Sequence, residues 1–234
     1  MTFDLVTAFP GVFLGTLEEG VLARARRRGV FGARVHDLRR FGIGPHRQLD
    51  DTPYGGGAGM VMKPEPFFEA VRWVRDRWPA ENERVVLLSP QGTRFDHAHA
   101  ARLARTDRVI LLCGRYEGID ERVREGLADE ELSVGDFVVS GGEIPALLVL
   151  DAVARLVPGV LGNEESAAFD SFAEGRLDHP HWTRPAEYRG MRVPDVLLSG
   201  DHEAVRRFRE ERSWEATRAK RPDLMQKGRG QSWT

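Results

Sequence analysis

The chain has 234 residues, 34 basic and 36 acidic side chains, 41% hydrophobic residues and one cysteine. That length supports one large domain or two modest ones, with a real core and no need of disulfide or metal staples. The lone Cys113 excludes an internal disulfide framework and any zinc site built on cysteine pairs.

In chain order, Thr2 to Ala8 alternates with period two and predicts a strand. Val12 to Arg28 reads as a helix and Phe31 to Asp37 as a second strand. Pro66 to Trp78 and Phe95 to Arg105 read as helices. Between and after them lie the two clearest strands, Arg84 to Leu88 and Arg108 to Cys113, short and continuously apolar. Continuous apolar character marks strands buried on both faces of a parallel sheet, and alternation with helices predicts an α/β fold. Glu131 to Ser140 is expected as a further strand ending at Gly141-Gly142. The apolar stretch Pro145 to Leu156 has helical spacing and is stopped by Pro158-Gly159. Gly162 to Phe169 is small and polar and makes the best linker. Beyond it Asp201 to Arg221 is a charged helix with Val205 and Phe208 as its apolar spots.

The near-neutral total hides an asymmetry. Residues 1–172 carry 21 basic and 26 acidic side chains, residues 173–234 carry 13 and 10, and Arg206 to Arg229 alone carries 9 and 4. A basic segment on an acidic body suits a local anionic partner, because only the local potential acts within a Debye length. A solvated helix face accounts for the same charge pattern. The mean hydropathy is -0.40, and the most apolar stretch, Ile144 to Val157, is interrupted by Asp151 and Arg155. With an N-terminus that lacks a basic flank and a small-residue cleavage site, the expectation is a cytoplasmic protein with no membrane span.

Glycine-bearing loops follow the three apolar strands: Ser89-Pro90-Gln91-Gly92, Gly114-Arg115-Tyr116-Glu117-Gly118 and Ser140-Gly141-Gly142-Glu143-Ile144-Pro145. In open α/β sheets ligands bind outside the carboxyl ends of the strands, and glycine lets a backbone come close to a flat group such as a purine. Ordinary strand–helix punctuation explains any one of these loops better; only the three together, after three adjacent apolar strands, bring the ligand reading level with it. The loop Tyr54 to Met60 is richest in glycine, but no Gly-Lys-Ser/Thr follows it and Met60 occupies the last place of a G-x-G-x-x-G pattern. A lid or a tight backbone approach is expected there, not a phosphate cradle. His97-x-His99 falls in a predicted helix, where i and i+2 face apart, and Pro180 separates His179 from His181. No protein-bound transition metal is expected.

Taken in order, Tyr54-Gly-Gly-Gly-Ala-Gly-Met60, Leu88-Ser-Pro-Gln-Gly92, Cys113-Gly-Arg-Tyr-Glu-Gly-Ile-Asp-Glu-Arg122, Ser133-Val-Gly-Asp-Phe137, Ser140-Gly-Gly-Glu-Ile-Pro145, Arg155-Leu-Val-Pro-Gly-Val-Leu161, Asp170-Ser-Phe172 and His181-Trp-Thr-Arg-Pro185 form an ordered set. This set resembles the bacterial tRNA (guanine-N1)-methyltransferases, the TrmD family of knotted SPOUT methyltransferases. The resemblance implies a parallel sheet flanked by helices with a deep trefoil knot in residues 1–161, an interdomain linker over 162–172, and a small helical tRNA-binding domain over 173–234. It implies S-adenosyl-L-methionine as methyl donor, lined by Leu88, Ser89, Pro90, Gly114, Tyr116, Glu117, Ser133, Val134, Gly135, Gly141, Gly142 and Pro145. It further implies a homodimer with a shared active site, in which Ile144 to Leu156 becomes an interface helix. The acceptor would be N1 of the guanosine at position 37 of tRNA, with Asp170 as general base and Arg155 stabilising charge on O6. Read without the resemblance, Asp170 is a helix N-cap before Ser171-Phe172.

Magnesium belongs to parts of the family, and Glu117 and Asp170 are the candidate carboxylates, although no ligand spacing identifies a site. Phe137 stands where many relatives carry Tyr, and the chain ends soon after Gln226 where some continue into a longer helix. Two rivals belong to other classes. A dehydrogenase needs a phosphate-binding glycine fingerprint that is missing. A non-catalytic RNA-binding module accounts for the basic segment but not for the three loops.

Overall fold

The computed structural model of the chain describes residues 1–162 and 169–227. The chain divides into two compact units, Met1–Gly162 and Asn163–Thr234. The first runs β1 (Thr2–Thr7), α1 (Gly11–Glu18), α2 (Gly20–Arg27), β2 (Gly32–Asp37), β3 (Asp50–Asp51), β4 (Val61–Met62), α3 (Pro64–Arg77), β5 (Glu83–Arg94), α4 (His97–Leu103), β6 (Arg108–Cys113), α5 (Glu121–Gly126), β7 (Glu130–Ser133) and α6 (Glu143–Ala154).

Among the described residues the main sheet has five strands in the order β2-β1-β6-β5-β7, and every pairing is parallel. Parallel strands need crossovers, and the helices of those crossovers cover both faces. Strand β6 shows why its sequence is apolar from Val109 onward. Val109, Leu111 and Cys113 pack into one core with Phe13 and Leu17 of α1, Leu22 of α2, Leu103 of α4 and Val149, Leu150 and Val153 of α6. Ile110 and Leu112 point the other way, into a second core with Phe67, Val71 and Val74 of α3 and Val123 of α5. Full burial of each such side chain contributes about 1.5–3 kcal/mol.

Three expectations are corrected. The single helix over Val12 to Arg28 is two helices: Glu19 is extended and Gly20 takes a φ of 63°. The break lets Phe13 and Leu17 of one helix and Leu22 and Ala25 of the next meet the same core. Strand β5 does not stop at Leu88. Leu132 of β7 pairs with both Leu88 and Thr93, so residues 89–92 bulge out between two paired segments. A Cβ on Gly92 would lie 2.5 Å from Glu131 C and Leu132 N, which is why the bulge closes on glycine. Strand β7 stops at Ser133 and does not reach Ser140. There the Ser133 hydroxyl accepts from Gly135 N–H at 3.2 Å, Gly135 takes a φ of 152°, and Phe137 N–H closes a turn onto Gly135 O at 2.9 Å. Local turn chemistry outcompetes the β-propensity of Phe137, Val138 and Val139, which are exposed.

The second unit contains a short hairpin, β8 (Glu187–Tyr188) and β9 (Met191–Arg192), and two helices, α7 (His202–Lys220) and α8 (Pro222–Lys227). Asp201 caps α7 by accepting from the N–H groups of Glu203 and Ala204, each at 3.0 Å. The residues that α7 buries are Ser213 and Thr217; Val205 and Phe208, the expected apolar spots, are half-buried. Most of the expected linker, 162–172, and the tail after Lys227 lie outside the described residues. Among the described residues no helix is long and apolar enough to cross a membrane.

Candidate active site

Because β6, β5 and β7 are neighbours in that order, their carboxyl ends bring the expected loops side by side. Leu88 is buried at the last pair before the bulge; Ser89 is half-buried and Pro90 exposed within it, and the Ser89 hydroxyl accepts from Gln91 N–H at 3.0 Å. After β6, Gly114 opens a tight turn in which Tyr116 has a φ of 61° and Gly118 N–H donates to Arg115 O at 3.2 Å. Tyr116 and Glu117 are exposed, one an aromatic face and the other a carboxylate. Ser133, Val134 and Gly135 form the turn that ends β7. The chain then runs through exposed residues to Gly141, Gly142 and the start of α6, where Pro145 is buried.

This last crossing is tightly made. Gly142 N–H donates to Gly114 O at 2.8 Å, and a Cβ on Gly142 would sit 2.7 Å from Cys113 Cα. Only glycine lets the two main chains approach this closely. The glycine-rich loop joins the same place. Glu117 N–H donates to Met60 O at 3.0 Å and Met62 N–H to Gly118 O at 2.9 Å, while a Cβ on Gly59 would meet the Glu117 side chain at 2.5 Å. Tyr54 to Met60 thus makes a tight backbone approach to the turn after β6.

Beneath the loops lies a polar cluster that the sequence reading did not single out. Glu143, 1% exposed, begins α6; its Oε1 accepts from the Thr7 hydroxyl at 2.7 Å and its Oε2 lies 2.9 Å from Arg115 Nε. Arg115 also donates to Ser140 O at 3.1 Å, and its guanidinium lies 4.4 Å from the centre of the Phe9 ring. The signal was present in the sequence: one acidic residue between two glycines and the apolar run Ile144 to Leu150. Cys113, at the end of β6, is fully buried. Burial first, and the Glu143 carboxylate second, push its thiol well above the ordinary range, so it is no nucleophile.

Arg155 is the C-cap of α6, half-buried, with its N–H on Asp151 O at 3.1 Å. Asp170 belongs to the second unit and is half-buried. It does not cap a following helix: Ala173 N–H returns to Asp170 O at 3.2 Å and Phe172 takes a φ of 78°, so the residues after it form a turn. Nearby in sequence, Asp178, His179 and His181 bring ligand-type atoms within 4.8 Å of one another, which the spacing argument did not anticipate. The trio closes on itself. Asp178 Oδ1 accepts from His179 N–H at 2.6 Å, and Oδ2 lies 2.9 Å from His181 Nε2. His99, by contrast, lies 2.7 Å from Asp96, the cap of α4.

What the arrangement offers chemically is a set of interlocked backbone turns at adjacent strand ends, with the Tyr116 ring and the Glu117 carboxylate exposed on the turn after β6. Comparison with known proteins gives this a context. Residues 1–227 match the family model described as tRNA (Guanine-1)-methyltransferase TrmD. A protein of Geobacillus kaustophilus named tRNA (guanine-N(1)-)-methyltransferase is 48% identical over 225 residues, covering 96% of this chain and 91% of that protein. Proteins of the same name from Geobacter sulfurreducens and Symbiobacterium thermophilum are each 50% identical, covering 97% of this chain and 92% of their own length. With matches that span nearly the whole of both partners, the chain belongs to the TrmD family of tRNA (guanine-1)-methyltransferases.

Proposed function

We propose that this protein transfers the methyl group of S-adenosyl-L-methionine to N1 of the guanosine at position 37 of tRNA, beside the anticodon. The observation that carries the reading is the interlocking of the turns after β6 and before α6 next to the bulge of β5. The residues fit such a donor. Backbone N–H and C=O groups at glycine turns suit an adenine edge, and the exposed Glu117 carboxylate suits a group that carries positive charge. Leu88, Ser89, Pro90, Gly114, Tyr116, Glu117, Ser133 to Gly135, Gly141, Gly142 and Pro145 are the proposed lining. A deep trefoil knot is part of the same reading, supported by the chain's return from the edge strand β7 to pack on Cys113 at the end of β6 and on Gly114 just after it.

When bound, the donor supplies an electrophilic methyl group on a sulfonium. The protein's own task is to make the acceptor nucleophilic. N1 of neutral guanine carries a proton, and Asp170 is the proposed base that takes it. As it leaves, negative charge grows on O6, where the Arg155 guanidinium is the proposed stabilising cation. Holding the two reactants in line contributes the remaining acceleration. Residues 1–161 are assigned to cofactor binding, 162–172 to the linker and 173–234 to tRNA binding, in a cytoplasmic homodimer. Ile144 and Leu148 on α6 and Leu14 on α1 support the dimer, being more than half exposed although apolar.

The test is calorimetric titration with S-adenosyl-L-methionine, followed by methylation of two tRNAs that differ only at position 37. Binding with transfer confined to the tRNA bearing guanosine there is expected. Asp170→Asn should bind the donor normally and lose transfer by about a hundredfold or more. Turnover near the wild-type rate would remove Asp170 from its role. Absent donor binding would leave only an RNA-binding module.

A further inference from the structure

The buried Arg115–Glu143 pair is expensive to form and has no part in the transfer just described. Glu143 is 1% exposed and the Arg115 side chain 21%. Taking a carboxylate and a guanidinium out of water is costly, and a hydrophobic pair in the same place is often at least as stable. Arg115 Nε and Glu143 Oε2, although 2.9 Å apart, have no hydrogen-bond partner among the described residues, so the contact is a charge pair and not a well-aligned bond. A pair with so little to add to stability has another use when its position is considered.

Three separate segments meet at these two side chains. Arg115 lies in the turn Gly114–Gly118. It reaches Ser140 O in the crossing that precedes α6 and stacks on Phe9, just past β1. Glu143 begins α6 and takes the Thr7 hydroxyl at the end of β1; Thr7 Oγ1 in turn accepts from Phe9 N–H at 2.8 Å. A Cβ on Gly141 would run into the Arg115 side chain, so the guanidinium lies directly against the glycine turn. Two of the segments proposed to line the donor site, Gly114–Glu117 and Gly141–Pro145, are therefore anchored to one polar unit.

We infer that Arg115 and Glu143 are positioning residues for the methyl donor: the pair fixes the turn Gly114–Gly118 against Gly141–Gly142, and with it the shape of the donor site. The inference rests on the proposal that these turns bind S-adenosyl-L-methionine. Glu143→Gln keeps the shape of the carboxylate but removes its charge. Arg115→Lys keeps the charge but removes the planar fork and the stacking surface. Phe9→Ala removes the ring on which Arg115 and Arg39 both stack, at a residue already 39% exposed and outside the buried core.

The experiment measures, for the wild type and the three variants, the Kd for S-adenosyl-L-methionine by calorimetry, the KM for donor and for tRNA, and the melting temperature. The expected result is a donor Kd and KM raised about tenfold in Glu143→Gln and Arg115→Lys, and about threefold in Phe9→Ala, with the tRNA KM unchanged. Lost donor affinity in Phe9→Ala at an unchanged melting temperature supports positioning even if the buried variants fail to fold. Donor Kd and KM within twofold of wild type in the folded variants, with only the melting temperature lowered, overturns the inference and makes the pair a structural one. Wild-type protein that binds no donor overturns the cofactor reading, and this inference with it.

Discussion

Asp4 shows at the scale of one residue how the sheet accommodates a charge. It is fully buried in β1, yet Arg34 donates to both of its oxygens at 2.8 Å and His36 Nε2 lies 2.6 Å away, both from the neighbouring strand β2. Burial alone would raise its pKa. The hydrogen bonds from His36 and Arg34 and the charge of Arg34 outweigh burial, so the carboxyl lies below its ordinary value. A depressed carboxyl contributes stability that is present above the unfolded value of about 3.9 and is lost as pH falls through the folded one. Stability should therefore fall as the pH drops below about 4, and Asp4→Asn should flatten that dependence while costing about 3 kcal/mol near neutrality. Urea unfolding at several pH values measures both, and an unchanged acid limb in the variant would contradict the assignment. None of this was legible beforehand, because Thr2 to Ala8 looks alternating while the structure buries Asp4 and Thr7 along with their apolar neighbours.

At the scale of elements, α7 does not follow the usual logic of an apolar stripe. Its buried residues are Ser213 and Thr217, and they hold the Leu177 backbone in place of a core. Thr217 Oγ1 accepts from Leu177 N–H at 2.9 Å and donates to Ser213 O at 2.8 Å, while Ser213 Oγ donates to Leu177 O at 2.5 Å. Aromatic rings continue the contact, with Arg176 over Trp214 at 5.2 Å and Trp182 and Phe208 rings 6.1 Å apart. Thr217→Val keeps the shape but leaves the Leu177 N–H without its acceptor, at a cost of about 1–3 kcal/mol. Hydrogen exchange should speed up at Leu177 and along α7 while strands β1 and β6 stay protected. Uniform protection everywhere would show that the bond is dispensable. The helix itself was legible from its charge pattern, but its buried side was not: two small hydroxyl residues among charges carry no periodic signal. The core strands were the opposite case, since Arg108 to Cys113 has only one reading at its length. The bulge in β5 and the early end of β7 depended on pairing between distant residues and on a serine hydroxyl, which no local pattern reports.

For the whole molecule, the two proposals that remain are assembly and tRNA engagement, and each has its own measurement. Replacing Ile144 and Leu148 by Glu puts charge on the exposed apolar side of α6 without touching its buried residues Val149, Leu150 and Val153. Sedimentation should then shift from dimer to monomer at micromolar concentration, and a sedimentation profile identical to the wild type would rule that face out. The tRNA surface is argued from charge. Arg206, Arg207 and Arg209 are exposed near the start of α7, and Arg207 is 3.9 Å from Glu203, too loose and too exposed a pair to neutralise it. Cations that meet phosphates release condensed counterions, so the logarithm of affinity falls linearly with the logarithm of salt, by about 0.7–0.9 per phosphate contacted. Reversing all three to Glu should weaken tRNA binding about tenfold or more at physiological salt and flatten that slope by about two units. Donor binding, assigned to the other unit, should not change. A solvated helix face predicts the contrary result, an unchanged tRNA affinity at both low and high salt, and that outcome would move the tRNA surface away from α7.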